Sequence, residues 1–454
     1  MKKLILCGLL LVLATSVWAQ ATPYEVTGDR RINVRTEPST TASVLTQFAP
    51  GDQVEVTGEV DGDAVNGSPL WYALNISGVT GYVHNSLLRP VESVESTEVV
   101  AAVARPATAV EPNRGVPANP NADSRARAVL RYLNGLTDRP DNRVLSGQFG
   151  AYGDGTSAVT ATEQLQLIFE ASGQYPALTG MDYQRWDMQH ANNFSEPNGF
   201  LIDAWNAGSL VNISWHANNP WTNGASTDWE DTRTEDPWDT YPVSELLEAG
   251  NPAARQWRAM LANIADGLQA LEDANVVVIW RPLHEMNGGW AWWHLQEPDD
   301  FIALWRDMFD YFTYDRGLDN LLWAYTPMMK GHPDGPSPIV FYPGAAYVDL
   351  VGLDKYMELD EDPLDLNGYG EYDGILTLDK PVGLFEFGPL PASGAGWDSF
   401  EYDYANLIRD IRELYPEVVL FQAWEYVWQI GRHANAAGLM RDPWVITRGE
   451  LPNF

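Results

Sequence analysis

Apolar, strand-like runs alternate with amphipathic helix patterns from about residue 123 to the end of the chain. Eight runs are predicted as strands: 143–150, 176–183, 210–217, 276–287, 321–328, 348–356, 381–389 and 418–430. Strands that alternate with helices form parallel sheets covered by those helices. Eight such units in roughly 330 residues match a (β/α)8 TIM barrel, in which the loops after the strands carry the reactive groups.

The segment before the fourth strand illustrates the helix pattern. Asn251 is a suitable N-cap, Pro252 suits the first helical position, and apolar residues then recur at spacings of four and three: Trp257, Leu261, Ile264, Leu268 and Leu271. The run 276–280 that follows is apolar on both faces, as a covered parallel strand must be. A doubly wound open sheet is the alternative, but no Gly-x-Gly-x-x-Gly turn follows the first strand.

Residues 24–90 have a different pattern, with short alternating segments separated by Gly, Asp, Asn and Ser. Strands are predicted at 32–35, 54–56, 71–74 and 81–84, which indicates a small antiparallel barrel. The order Asn33-Val34-Arg35, Gly51-Asp52, Trp71-Tyr72 and Gly81-Tyr82 resembles bacterial Src-homology-3-like (SH3-like) domains. The resemblance implies a module that binds a cell-wall or other polymer ligand, and a spacer without a ligand is an equal alternative.

Residues 1–19 and 91–122 are predicted to lie outside these two domains. Lys2 and Lys3 precede a short apolar run, and Ala19 suits a signal peptidase, so we expect a secreted protein cleaved near Ala19. The single cysteine, Cys7, lies in this signal peptide, so the exported chain would have neither disulfides nor Cys-ligated zinc. Prolines break any helix between 91 and 122, which predicts a linker followed by the barrel domain over 123–454.

The charge of the chain limits its ligands. Asp and Glu number 62 against 28 Lys and Arg, which gives a formal net charge of −34. Such a chain repels phosphate backbones and anionic lipids, so neither nucleic acid nor a membrane is expected as a partner. The 19 tryptophans and 20 tyrosines favour a carbohydrate ligand, because flat amphipathic rings stack on sugars, although core packing also accounts for most of them.

Two glutamates follow predicted barrel strands and form a candidate catalytic pair. Glu285 follows the fourth strand and Glu386 ends the seventh, and a barrel brings both to one mouth. Two neighbouring carboxyl groups can divide their roles, because each raises the pKa of the other and only one stays ionised. Such a pair can cleave a glycosidic bond, whereas a solvated surface charge is the alternative for either glutamate alone.

Other residues at the strand ends give competing predictions. Three acidic residues could replace Glu386 as the second carboxylate, or could bind sugar hydroxyls or an arginine: Asp182, Asp354 and Glu425. Histidines near Glu285 suggest a metal site formed by His216, His284 and His294. The helix-borne His-Glu-x-x-His spacing is absent, so we expect neither a catalytic metal nor a cofactor.

Four segments together carry a recognisable family pattern. They read Arg281-Pro282-Leu283-His284-Glu285-Met286-Asn287-Gly288 with Trp290 and Trp292-Trp293, Ser214-Trp215-His216, Asp354-Lys355-Tyr356, and Phe385-Glu386-Phe387-Gly388. They resemble glycoside hydrolase family 26, and the likeness covers most of residues 123–454. That family consists mostly of endo-acting β-mannanases, with minorities that act on mixed-linkage β-glucan or β-1,3-xylan.

The resemblance implies that Glu285 is the general acid/base and Glu386 the nucleophile. It also implies sugar-binding roles for His216, His284, Trp290, Tyr356 and Trp424. The two histidines would bind the sugar at the scissile bond, the tyrosine would hold the nucleophile by a hydrogen bond, and the two indoles would be stacking platforms. At least one of Trp292 and Trp293 is expected in the core.

We therefore expect a retaining endo-β-1,4-mannanase acting on mannan, galactomannan or glucomannan through a two-glutamate double displacement. One alternative is the same fold and mechanism acting on mixed-linkage β-glucan or β-1,3-xylan. An alternative of another class is a non-catalytic polysaccharide-binding protein. The pair of glutamates speaks against that class, because binding sugar hydroxyls does not need it.

Overall fold

The structure is a computed structural model that describes residues 22–27, 32–48, 53–65, 68–76, 79–90, 115–152, 157–184, 194–222, 241–330, 335–358, 362–390 and 401–454. The predicted signal peptide, 1–19, and most of the predicted linker, 91–114, lie outside the described residues. The chain divides into two compact units, 1–106 and 107–454. None of the described helices has the length and apolar character needed to cross a bilayer.

The first unit is an antiparallel sheet with the spatial order β3-β2-β6-β5-β4-β1-β7. Its strands are β1 Thr22–Val26, β2 Ile32–Arg35, β3 Val44–Phe48, β4 Gln53–Val65, β5 Ser68–Ile76, β6 Val79–His84 and β7 Leu88–Pro90. Alternate residues such as Val34, Val56 and Val83 are buried in a shared core, as the period of two predicts. The small all-β, SH3-like unit is confirmed, although the sequence analysis identified neither β1, β3 nor β7.

The second unit is a closed barrel of eight parallel strands, which confirms the predicted TIM barrel. These strands are β8 Val144–Tyr152, β9 Leu178–Asp182, β10 Leu210–Trp215, β11 Val278–Pro282, β12 Leu321–Tyr325, β13 Leu350–Glu358, β14 Val382–Leu390 and β15 Val418–Ala423. Each strand pairs with the next, and β15 pairs with β8 to close the ring. A short strand, β16 Val445–Ile446, pairs in parallel with the first two residues of β8.

Helices connect the strands and cover the barrel. They are α1 Ser124–Asn134, α2 Ser157–Ser172, α3 Ser195–Asn206, α4 Pro252–Asp273, α5 Pro298–Asp310, α6 Glu371–Leu376, α7 Tyr404–Leu414 and α8 Ala436–Leu439. Helix α4 begins as predicted, because the Asn251 side chain accepts a hydrogen bond from the Ala253 N–H and Pro252 follows this cap. Its five predicted apolar positions are fully buried.

Two predicted strands, 276–287 and 418–430, extend too far at their carboxyl ends. Strand β11 ends at Pro282 and β15 at Ala423. Leu283 follows β11 with a φ of 46°, and Tyr426 follows β15 with a φ of 56°. A positive φ is incompatible with a strand, so the chain turns at the mouth of the barrel after each of these two strands. The predicted residues after these points therefore lie in loops.

Residues 115–122, which the sequence analysis assigns to the linker, pack on the barrel. The N–H of Ala118 donates to the buried Asp349 carboxylate at 2.6 Å, and the Asn119 side chain donates to the Leu318 carbonyl at 3.1 Å. The second Asp349 oxygen accepts from the Trp323 N–H of β12 at 2.8 Å. The same carboxylate thus joins the segment before α1 to the barrel wall.

We expect a chain that begins at Gly115 to unfold at the same temperature as the barrel of the intact protein. A chain that begins at Asp123 lacks the Ala118 N–H and leaves one oxygen of the buried Asp349 without this donor, which costs about 1–3 kcal/mol of unfolding free energy. Thermal and urea unfolding of the two shortened chains measure the difference. Equal midpoints would show that residues 115–122 contribute nothing to the stability of the barrel.

Candidate active site

A cleft of about 320 Å³ opens at the carboxyl ends of the barrel strands. It is lined by His216, Glu285, Trp290, Met328, Met329, Lys330, Asp354, Lys355, Tyr356, Glu386 and Trp424. Six of the seven predicted site residues are in this set. The seventh, His284, is buried beside them, and its Nε2 lies 3.4 Å from an oxygen of Glu386. The barrel therefore brings all seven together.

The backbone after β11 directs Glu285 into the cleft. Leu283 and Glu285 both have left-handed φ angles, of 46° and 55°, which end the strand within three residues. A non-glycine residue pays about 1–3 kcal/mol for such a conformation, which the surrounding structure must offset. The Glu285 N–H donates to the Thr326 carbonyl after β12 at 2.8 Å. The Asn287 amide is anchored to the Met328 backbone by two hydrogen bonds, of 2.8 and 2.9 Å.

Glu386 lies on β14, and hydrogen bonds hold both oxygens of its carboxylate. One of its oxygens accepts a hydrogen bond from the Arg281 guanidinium, and the other accepts from the Tyr356 hydroxyl at 2.9 Å. His284 Nε2 lies 3.4 Å from the first oxygen without forming a hydrogen bond to it. Donors to a carboxylate favour its charged form and fix its orientation. The hydrogen bond from Tyr356 is the contact that the family resemblance implies.

Arg281 is the main site residue to which the sequence analysis assigned no role. It lies on β11, is fully buried, and bridges Glu386 to Asp354, whose Oδ2 is 2.8 Å from its Nη1. Burial opposes its charge, but the carboxylates of Asp354 and Glu386 raise the pKa of Arg281 above its usual value. Its position within an apolar strand was the available signal, because a buried guanidinium requires an anionic partner.

Asp182, Asp354 and Glu425 were the other candidates for the second carboxylate. Asp354 pairs with Arg281, and Asp182 holds His216: its carboxylate lies 2.6 Å from His216 Nδ1 and 2.5 Å from Ser214 Oγ. Burial alone would raise the pKa of Asp182, but the charge and hydrogen bonds of His216 lower it below the usual value. Glu425 is not among the residues that line the cleft.

The two catalytic candidates face each other in a buried setting. Glu285, Asp354 and Glu386 each place one carboxyl oxygen within 4.8 Å of the other two. Such a trio could ligate a cation, but the guanidinium of Arg281 already supplies a positive charge to two of its members. Burial raises the pKa of Glu285 well above its usual value, and the charges of Glu386 and Asp354 raise it further. The raised pKa favours the protonated form of Glu285, whereas the donors around Glu386 favour its carboxylate.

The predicted aromatic platforms differ in their exposure. Trp290 is 40 % exposed on the wall of the cleft. Trp424 is only 5 % exposed and stacks on Phe149 with 4.0 Å between ring centroids. Trp292 and Trp293 are both fully buried, and their indole N–H groups donate to the carbonyls of Ala217 and His284. Both therefore belong to the core, and neither forms a platform.

Burial favours the neutral forms of His284 and His294. Burial lowers the pKa of each ring well below its usual value, and nearby positive charges lower it further. His294 Nδ1 accepts from the N–H groups of Trp290 and Ala291, at 3.2 Å each. This nitrogen is therefore engaged within the loop.

Sequence patterns gave no signal for the contribution of Met328, Met329 and Lys330, which line the cleft from the loop after β12.

Comparisons with known proteins agree with this architecture. The family model described as glycosyl hydrolase family 26 matches residues 118–450, and that of the bacterial SH3 domain matches 30–89. A mannan endo-1,4-β-mannosidase of Bacillus subtilis strain 168 is 35% identical over 365 residues, which cover 78% of this chain and 93% of the relative. Mannan endo-1,4-β-mannosidase A and B of Caldalkalibacillus mannanilyticus is 37% identical over 353 residues, which cover 75% of this chain but only 64% of the relative.

A solved structure of a Bacillus subtilis mannanase is 34% identical, has a TM-score of 0.63, and aligns over 74% of this chain and 96% of its own. The crystal structure of a β-mannanase from a symbiotic protist of the termite Reticulitermes speratus, complexed with gluco-manno-oligosaccharide, is 24% identical with a TM-score of 0.61 and coverages of 74% and 98%. The latter supports the fold. The family match over most of the barrel unit, together with relatives above 30% identity, shows that the chain belongs to glycosyl hydrolase family 26.

Proposed function

We propose that this protein is a retaining endo-β-1,4-mannanase in which Glu285 is the acid/base and Glu386 the nucleophile. The observation that carries the proposal is the pair itself, since an oxygen of each carboxyl group lies within 4.8 Å of the other. Retaining enzymes place their two carboxyl groups roughly 5–5.5 Å apart, whereas inverting enzymes leave roughly 6.5–9.5 Å for a water molecule. The separation supports direct attack by a carboxylate.

The first step uses the different charge states of the pair. Glu386, anionic and oriented by Arg281 and Tyr356, attacks the anomeric carbon while Glu285 gives its proton to the departing glycosidic oxygen. The bond between the anomeric carbon and this oxygen breaks, and an ester between the sugar and Glu386 forms. The leaving chain departs as an alcohol.

The second step reverses the role of Glu285. Formation of the ester removes the negative charge of Glu386, which is one of the causes of the raised pKa of Glu285. The pKa of Glu285 falls, and its carboxylate then takes a proton from the water that attacks the ester. Hydrolysis restores the anion of Glu386 and the proton on Glu285. The anomeric configuration is inverted twice and therefore retained.

The substrate class rests on the relatives, whose names state activity on mannan, and on the chemistry of the cleft. Asp182 holds His216 through Nδ1, and the His216 ring lines the cleft, where it can bind a sugar hydroxyl. Trp290 and Trp424 offer indole faces to the apolar side of a pyranose ring. Mannan is uncharged, so the net charge of −34 does not oppose its binding.

The test of the proposed function is the release of reducing ends from several polysaccharides at equal mass. We expect mannan, galactomannan and glucomannan to be cut at internal bonds, with barley β-glucan and β-1,3-xylan hydrolysed at least about 100-fold more slowly. Chain length, measured by size-exclusion chromatography, should fall early because the cleft is open to internal segments. Faster hydrolysis of β-glucan or β-1,3-xylan than of mannan would show that the other polysaccharide is the substrate. Binding of mannan without hydrolysis would favour a non-catalytic protein.

Replacement of Glu285 by Ala should impair the reaction according to the leaving group. We expect kcat/KM on mannan to fall about 10²–10⁴-fold, while a dinitrophenyl mannoside, whose leaving group needs no proton, loses little in its first step. The native enzyme should lose activity on mannan as the pH rises through the pKa of Glu285, because the acid form is then depleted. The aryl substrate should not show this alkaline loss. Glu425→Ala, at another strand end, is the matched control and should behave like the native enzyme.

Replacement of Glu386 by Ala should abolish turnover of both substrates, because no leaving group compensates for a missing attacking atom. Azide should restore part of the activity of Glu386→Ala on the aryl mannoside and yield the α-azide, and with Glu285→Ala it should yield the β-azide. Proton NMR of the first product of the native enzyme should show the β-anomer. First appearance of the α-anomer would contradict the nucleophile assignment.

A further inference from the structure

His294 lies at the end of the loop that carries Glu285, and it is buried. Its Nδ1 accepts hydrogen bonds from the backbone N–H groups of Trp290 and Ala291, both at 3.2 Å. The backbone N–H of His294 donates to the Ala291 carbonyl at 3.0 Å. The imidazole therefore closes the turn from which the Trp290 side chain extends into the cleft.

The hydrogen bonds determine the protonation of the ring. A nitrogen that accepts two N–H groups cannot carry a proton, so the proton of the neutral imidazole is on Nε2. A proton on Nδ1 would point at the N–H groups of Trp290 and Ala291, and neither of their hydrogen bonds to this nitrogen could form. Burial and the charge of His216 also keep the pKa of His294 well below its usual value, in agreement with this geometry.

The side chains in this turn are packed closely against the imidazole. The Trp290 ring meets the His294 ring edge to face, with 5.0 Å between centroids and an interplanar angle of 75°. Gly288 lies between them, and a Cβ atom there would stand 2.8 Å from His294 Nδ1 and 2.9 Å from Trp290 Cη2. Only glycine fits at this point. His294 thus limits the orientations of an indole that is still 40 % exposed.

We propose that His294 is the positioning residue of the Trp290 sugar platform, acting through the two hydrogen bonds to its turn and through ring contact. The role of Trp290 as a platform is taken from the proposed function. A fixed indole loses less rotational freedom when a pyranose stacks on it, so sugar binding is stronger than on a mobile ring. His294 itself need not touch the sugar.

Substitution separates this role from catalysis. His294→Leu keeps an apolar side chain of similar size but lacks the acceptor, so KM for mannan should rise about fivefold to tenfold with kcat within about twofold of native. His294→Asn places an amide oxygen near the position of Nδ1 and should restore most of the loss. His433 is the matched control, because its buried ring also accepts a backbone N–H, that of Tyr402, but Tyr402, unlike Trp290, does not line the cleft. His433→Leu should leave KM unchanged.

A double-mutant cycle shows whether His294 acts through Trp290. Trp290→Ala should raise KM at least as much as His294→Leu, and the double variant should be no worse than Trp290→Ala alone. Additive losses, a fall in kcat without a change in KM, or failure of His294→Asn to recover activity would overturn the proposal. These measurements use whichever polysaccharide the native enzyme cleaves.

The tautomer is measured without any substrate. In ¹⁵N-histidine-labelled protein, assigned by comparison with His294→Asn, Nδ1 of His294 should be unprotonated and Nε2 protonated across the pH range in which the protein is folded. A protonated Nδ1 would overturn the proposal even if His294→Leu fails to fold. The expected tautomer and coupling in a protein that does not hydrolyse mannan would instead contradict the proposed substrate and leave the role of His294 intact.

Discussion

The positive charge of Arg281 is the interaction on which the mouth of the barrel depends. Three carboxyl groups lie within 4.8 Å of one another in a buried site, where an unpaired negative charge is costly. Arg281 supplies the counter-charge from inside β11 and divides it between Asp354 and Glu386. Removal of one partner from such a buried pair typically costs about 3–5 kcal/mol, because the other charge stays behind unpaired. The same contact therefore stabilises the fold and orients the proposed nucleophile.

Glu285 and Glu386 differ in their preferred charge because, of the two, only Glu386 accepts a hydrogen bond from the guanidinium of Arg281. Its guanidinium contacts Glu386, which also accepts from Tyr356, and both donors favour the charged form of Glu386. Burial raises the pKa of Glu285, the charges of Glu386 and Asp354 raise it further, and Arg281 offsets only part of this rise. The position of Arg281 thus distinguishes the glutamate proposed as the acid from the glutamate proposed as the nucleophile. A change in the charge of Glu386 during the reaction is transmitted to Glu285 by Coulomb interaction alone.

The sequence was sufficient to predict the eight barrel strands and the position of Glu285 and Glu386 at the barrel mouth, because hydrophobic periodicity and position at a strand end are local properties. It was insufficient for the ends of β11 and β15, because the positive φ of Leu283 and of Tyr426 has no signal in residue type. The pairing of Arg281 and the support of His216 by Asp182 require the closure of the barrel across strands distant in sequence. The resemblance to a known family supplied Tyr356 and the platforms, which periodicity could not.

The abundance of tryptophan has a second explanation beside sugar binding. Seven tryptophans in the described part of the chain are fully buried, at positions 215, 257, 280, 292, 293, 305 and 323. Of these, Trp292 and Trp293 lie in the loop that contains three of the eight non-glycine residues with positive φ among the described residues: Leu283, Glu285 and Leu295.

Each such conformation costs about 1–3 kcal/mol, and burial of a large aromatic side chain whose N–H is satisfied returns a comparable amount. The carbonyls of Ala217 and His284 satisfy the two indoles. The buried tryptophans therefore stabilise the strained backbone that presents Glu285, while Trp290 in the same loop remains exposed to the cleft. One short segment thus combines a rigid, apolar foundation with an accessible aromatic surface, and this combination holds the acid and the sugar platform in a fixed relation to each other.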